Sequence, residues 1–162
     1  MPRDVGLPTA EAARDFGKDL GHLLRAGDVL VLSGELGAGK TTVTQGIGAG
    51  LGVRGPVTSP TFVIARVHPS LVGGPALVHV DAFRLGAAVE LDDLDLDAAL
   101  EDCVTVVEWG RGMAERLSAN RLELTISGRT SRRLTLTGVG ERWTSPAGCR
   151  DLDGLADRAP IT

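Results

Sequence analysis

The chain has 162 residues, 43% of them hydrophobic, with 17 basic against 21 acidic side chains and a formal charge of -4. That length suits one globular domain with its own core, and the acidic balance excludes a general cationic surface for nucleic acid, leaving only a local basic patch. Cys103 and Cys149 stand without CxxC spacing or a His at ligand distance, which predicts free thiols with no disulfide partner and no zinc site. No run of about 18 apolar residues and no apolar signal segment occurs, which predicts a cytoplasmic chain without a membrane span.

From Thr9, placed as an N-cap, Ala13, Phe16, Leu20, Leu23 and Leu24 recur at helical spacing until Gly27 stops the pattern. Val29 to Leu32 is a short continuous apolar run, which suits a strand buried on both faces. It leads into Gly34-Glu35-Leu36-Gly37-Ala38-Gly39-Lys40-Thr41, after which Val43, Ile47 and Leu51 continue a helix. Gly46, Gly48 and Gly50 weaken that helix and suit close packing against the sheet. Val57 to Val67, broken by Pro60, reads as a loop entering a strand; Ala76 to Val80, behind Gly73-Gly74-Pro75, reads as the next.

Glu90 to Asp102 carries leucines among acidic residues and is compatible with one or two short helices. Val104 to Val107 is another buried strand, and Arg111 to Leu117 a helix. Leu122, Leu124 and Ile126 alternate with polar residues, as do Leu134 and Leu136, with a hairpin turn at Gly128 to Ser131. From Gly138 onward Gly, Pro, Arg and Asp dominate, which predicts one domain over residues 1–137 and a low-order tail over residues 138–162. The element order predicts an α/β chain with the three-layer P-loop NTPase fold, its central sheet mostly parallel and ending in an antiparallel C-terminal hairpin.

Gly34 to Thr41 satisfies GxxxxGK[ST] between a strand and a helix. Glycines let such a loop curl until successive backbone N–H groups point at phosphate oxygens, and the helix N-terminus adds its positive end. Lys40 would then bridge the outer phosphates and Thr41 would ligate magnesium, so ATP and Mg2+ are the expected cofactors. Lys18 and Lys40 are the only lysines, all other basic residues being Arg. A compact ammonium on a flexible stem reaches between phosphate oxygens in a way that a planar guanidinium does not.

A P-loop ATPase also needs a strand-end carboxylate near the metal and a group to position water. Asp81 ends the apolar run Ala76 to Val80 and Glu108 ends Val104 to Val107, although such residues are often solvated strand ends. Thr58-Ser59-Pro60-Thr61 is either an ordinary turn or a stiffened loop whose hydroxyls reach the metal or γ-phosphate. His79 reads as a packed strand residue, Trp109 as a core or stacking residue, and Arg84, Arg132 and Arg133 as surface residues or phosphate contacts. With two lysines and no Asn-Lys-x-Asp segment, the base is expected to be adenine and not guanine.

In order, GELGAGKTT, TSPTF, HVDAFRL and VEWG make the chain resemble the TsaE family of bacterial ATPases in the tRNA threonylcarbamoyladenosine pathway, over roughly Thr9 to Thr137. The resemblance implies a Mg-dependent ATPase of low activity alone that joins the TsaB and TsaD proteins and supports threonylcarbamoylation of adenosine 37 in tRNAs reading ANN codons. It meets tRNA only through that complex. By motif position it implies Gly37, Ala38, Gly39, Lys40, Thr41 and Thr42 as the nucleotide loop, Thr41 and Glu108 as the magnesium site, and Asp81 as a carboxylate required for hydrolysis. Spacing does not decide between Asp81 and Glu108 for the direct metal contact. Thr61 matches a switch threonine and Trp109 the tryptophan after the acidic residue; Thr9 or Glu11 is the expected adenine contact, and Arg132 completes the nucleotide set. Phe83 in place of a usual Tyr, and Gly110 in place of a frequent Pro, bear on the partner face. A stand-alone P-loop small-molecule kinase is the alternative, but no Arg-rich lid segment accompanies it.

Overall fold

The computed structural model describes residues 2–35, 39–55, 57, 65–81, 101–108, 118–128 and 131–159. They form strands β1 (Arg3–Leu7), β2 (Val29–Gly34), β3 (Ala65–His68), β4 (Ala76–Asp81), β5 (Cys103–Glu108), β6 (Arg121–Ser127) and β7 (Arg132–Val139). The helices are α1 (Ala10–Leu23), α2 (Lys40–Leu51), α3 (Glu141–Thr144) and α4 (Pro146–Asp157). The expected elements over residues 58–64, 90–100 and 111–117 lie outside the described residues, as do Phe83, Arg84 and Gly110. Among the described residues, no helix is long and apolar enough to cross a membrane.

One mixed sheet runs in the order β1-β7-β6-β2-β5-β4-β3. Strands β6, β2, β5 and β4 are mutually parallel; on one side β7 pairs antiparallel with β6 and β1 antiparallel with β7, so that β1 runs in the direction of the central strands, and on the other side β3 pairs antiparallel with β4. The mostly parallel centre and the β6–β7 hairpin follow the sequence pattern; β1 was not anticipated. It is short, contains Gly6, and shows only Val5 and Leu7 as an alternating buried pair.

The pairing register places Leu30 and Leu32 of β2, Leu77 of β4, Val104 and Val106 of β5, and Leu122, Leu124 and Ile126 of β6 on one face. That face packs against Ala13, Phe16 and Leu20 of α1 and Val43, Ile47 and Leu51 of α2 in one continuous core. On the opposite face Val29, Val31, Val78, Val80 and Val107 are also buried, which explains unbroken apolar runs in β2, β4 and β5. There β6 and β7 instead present Glu123, Thr125, Arg133 and Thr135, giving the alternation read from their sequence.

Helices α1 and α2 touch backbone to backbone at two glycine pairs. A Cβ on Gly17 would lie 3.0 Å from the Gly46 Cα, and one on Gly21 would lie 3.0 Å from the Gly50 Cα. Gly17 with Gly21 and Gly46 with Gly50 are each one helical turn apart, so small residues line both sides of the seam. Because the pairs advance in the same direction along both chains, the helices run parallel. Gly46 and Gly50 thus face α1 and not the sheet; of the three glycines, only Gly48 approaches it, through Val53, Val57 and Leu77.

Residues after Gly138 depart from the expected low-order tail. Ser145 caps α4 by accepting the Gly148 N–H at 3.2 Å, and Pro146 sits in its first turn. Trp143, Leu152 and Leu155 are buried in the main core. Arg142 donates from Nε and Nη2 to the two oxygens of buried Asp28, each at 3.2 Å, and from Nη2 to the Leu23 carbonyl oxygen at the end of α1. Its guanidinium also stacks 3.8 Å from the Trp143 ring centroid. A few anchors this strong organise a segment whose composition is otherwise polar.

Gly46→Ala is expected to lower unfolding free energy by about 1–3 kcal/mol through overpacking of the helix seam. Gly154→Ala, where nothing lies within 4 Å of the added carbon, should be neutral or stabilise by up to about 1 kcal/mol; urea titrations of both variants provide the comparison. Trp143→Ala should cost about 3–5 kcal/mol in the same measurement, whereas a loosely docked tail would leave the midpoint unmoved.

Candidate functional site

Strand β2 ends in Gly34, and α2 begins at Lys40, so the start of α2 follows closely on the C-terminal end of a parallel strand. Leu32 pairs with Glu108, and Glu108 pairs with Asp81. The two carboxylates therefore stand abreast on adjacent strands, on the sheet face that carries α1 and α2. Both are buried, as is Lys40, which is 5% exposed.

The Lys40 ammonium donates to the carbonyl oxygens of Gly34 and Glu35, each at 2.9 Å, so it folds back across its own loop. Burial lowers its pKa, while the charges of Glu108 and then Asp81 act in the opposite direction. Gly39, at φ 106°, is the N-cap of α2 and offers no side chain to its first turn, and the N-terminal end of a helix carries partial positive charge that favours an anion. Gly37 and Ala38 lie outside the described residues, as do Thr61 and Trp109.

Arg132 opens β7 on the same sheet face, and its Nη1 lies 3.3 Å from where a Cβ on Gly39 would stand. Arg133 alternates to the opposite, exposed face, so of these two arginines the structure brings Arg132 to the loop. Thr9 Oγ1 accepts the Ala12 N–H at 3.0 Å and caps α1, with Glu11 exposed in the following turn. Gly17 and Gly46 lie almost equally far into their helices, so the parallel seam keeps the N-terminal turns of α1 and α2 level.

His79 is wholly buried on β4, one alternation before Asp81, and its Nε2 is 3.1 Å from Oε1 of Glu108. The sequence reading of a packed strand residue holds for its burial but missed this contact. The available signal was the period of two in His79-Val80-Asp81, which puts both side chains on the face that receives Glu108. His68 of β3 is buried nearby; burial first, and then the neighbouring His79, push its pKa down.

The donor set suits a magnesium nucleotide. Among the described residues, no group of three or more His, Cys, Asp and Glu can hold a metal by itself, and magnesium characteristically uses one or two carboxylates with waters and substrate phosphates. Asp81, Glu108 and the Thr41 hydroxyl would supply that partial set, and Lys40 at the N-terminus of α2 would supply the counter-charge for phosphate.

A family model described as "Threonylcarbamoyl adenosine biosynthesis protein TsaE" matches residues 7–135. A curated Streptomyces coelicolor protein named tRNA threonylcarbamoyladenosine biosynthesis protein TsaE is 62% identical over 139 residues, covering 82% of this chain and 94% of its own. A Bacillus subtilis protein of the same name is 38% identical over 136 residues, covering 82% and 84% respectively. The crystal structure of Bacillus subtilis YdiB superposes with a TM-score of 0.74 at 30% identity, covering 98% of this chain and 96% of that one.

The buried Lys40 ammonium has a definite pH consequence. Its folded pKa lies below the ordinary 10.5, so the unfolded chain holds that proton more tightly, and folding gains stability as pH rises towards 10.5. The melting temperature of Lys40→Met relative to the wild type should therefore fall between pH 7 and pH 10, as read by differential scanning fluorimetry.

Proposed function

The chain belongs to the TsaE family, and from that premise we propose that it is a magnesium-dependent ATPase that serves threonylcarbamoylation of adenosine 37 in tRNAs reading ANN codons. It acts in the cytoplasm with the TsaB and TsaD proteins and meets tRNA only through their complex. The observation that carries the reading is the convergence of Lys40, Asp81 and Glu108 at one sheet edge, directly beneath the N-terminus of α2.

In this reading Lys40 exchanges its two loop carbonyls for the outer phosphates, and the amides of Gly37 to Thr42 surround the phosphate chain. Thr41 and Glu108, with Asp81 beside them, hold the cation, and Arg132 flanks the loop at Gly39. When bound there, Mg2+ would supply neutralisation of phosphate charge. The Asp81 and Glu108 carboxylates accept hydrogen bonds from water and orient it for attack on the terminal phosphate. Thr61 takes the switch role given by its motif position, Trp109 stacks on the nucleotide, and Thr9 or Glu11, at the start of α1, contacts the adenine.

Phosphate release from ATP, measured with and without TsaB, TsaD and tRNA, tests this function. The expected result is a slow rate for the chain alone and stimulation in the complex. Asp81→Asn and Glu108→Gln should each lower turnover by about 10²-fold or more with ATP affinity nearly unchanged, and Lys40→Ala should weaken ATP binding about tenfold or more. No stimulation in any combination would overturn the reading. So would transfer of the phosphoryl group to an acceptor other than water, the behaviour of a small-molecule kinase.

A further inference from the structure

Glu108 is asked to hold a cation from a side chain with three rotatable bonds, and such a ligand serves only if something fixes its orientation. Among the described residues, His79 is placed for that purpose. His79 is 0% exposed and Glu108 4% exposed, and His79 Nε2 stands 3.1 Å from Glu108 Oε1. The two residues are diagonal neighbours across the β4–β5 ladder, since His79 pairs with Val106 and Asp81 with Glu108.

Three atoms here, both imidazole nitrogens and Glu108 Oε1, are buried without a hydrogen bond of good geometry among the described residues. The short Nε2 to Oε1 approach is therefore bent and not linear. Leaving such atoms mispaired is costly, and an apolar residue at position 79 would suit this part of the core, which already holds Leu77 and Val106. A buried imidazole that packs no better than leucine, aimed at a carboxylate beside the phosphate loop, is placed for that carboxylate.

We propose that His79 is a positioning residue, whose Nε2–H holds Oε1 of Glu108 so that the other carboxylate oxygen is presented to the nucleotide-bound cation. The assignment rests on the ATP and magnesium reading of the same site. Hydrogen bonds in a ligand-free site are often poorly aligned and tighten when the ligand arrives, so the bent contact would straighten when the site is filled.

The test measures the Mg2+ concentration giving half-maximal binding of a fluorescent, non-hydrolysable ATP analogue, alongside kcat and KM for ATP, in three variants. His79→Leu removes the donor, His79→Asn keeps polarity but falls short of Oε1, and His79→Gln restores a donor near the Nε2 position. The expected result is a rise of about 10–100-fold in the required Mg2+ for the Leu and Asn variants, with kcat reduced and analogue affinity at saturating Mg2+ unchanged. The Gln variant recovers most of the loss. Should His79→Leu not fold, the contrast between Asn and Gln decides alone. Equal Mg2+ requirements for Asn, Gln and wild type, or equal impairment of Asn and Gln, would overturn the role of His79. A wild-type protein whose analogue binding ignores Mg2+ would instead overturn the reading of the site itself.

Discussion

The register of three parallel strands governs where the chemistry of this chain can occur. Leu32, Glu108 and Asp81 lie in one row across β2, β5 and β4, and side chains alternate faces at every residue. A slip of one residue between β4 and β5 would send one carboxylate to the face of Val80 and Val107 and separate the pair. The register is held by burial on both sides, because Leu30, Val106 and Leu77 pack under the helices while Val29, Val31 and Val78 are buried on the reverse. Hydrophobic packing thus supports two neighbouring acidic groups, and Lys40, whose charge interacts favourably with both, is tethered to the same edge through the end of β2.

The glycine seam extends that control to the helices. With backbones in contact at Gly17 and Gly46 and again at Gly21 and Gly50, α1 has little freedom to slide along α2, and the first turn of α1 stays level with the first turn of α2. The far end of α1 is secured separately, by Arg142 on Asp28 and on the Leu23 carbonyl. The segment after Gly138 therefore steadies the α1 to β2 connection, and through β2 the loop that follows it.

Much of this was legible in the sequence for a physical reason. Strands buried on two faces read as unbroken apolar runs, as in β2, β4 and β5, and a half-exposed hairpin reads as alternation, as in β6 and β7. The loop motif and its flanking elements placed Lys40, and the strand-end positions of Asp81 and Glu108 followed from the runs before them. Three features were hidden because they depend on tertiary partners. β1 is too short to carry a pattern before it meets β7. The C-terminal helices depend on isolated anchors, Trp143 and Arg142, whose value appears only against Asp28 and the core. The glycines of α2 looked like weaknesses until Gly17 and Gly21 were placed opposite them. Arg132 and Arg133 were indistinguishable in sequence, and pleating alone separates the residue beside the loop from the one in solvent.

In the proposed ATPase, Lys40 is held in reserve on its own loop for a phosphate. A crystal structure with Mg2+ and a non-hydrolysable ATP analogue tests this most directly. The Lys40 Nζ is expected to leave the Gly34 and Glu35 carbonyl oxygens and to lie within hydrogen-bonding distance of the outer phosphates, with Asp81 and Glu108 facing the cation. Phosphates bound elsewhere, or a Lys40 that keeps both carbonyl contacts with nucleotide present, would contradict it.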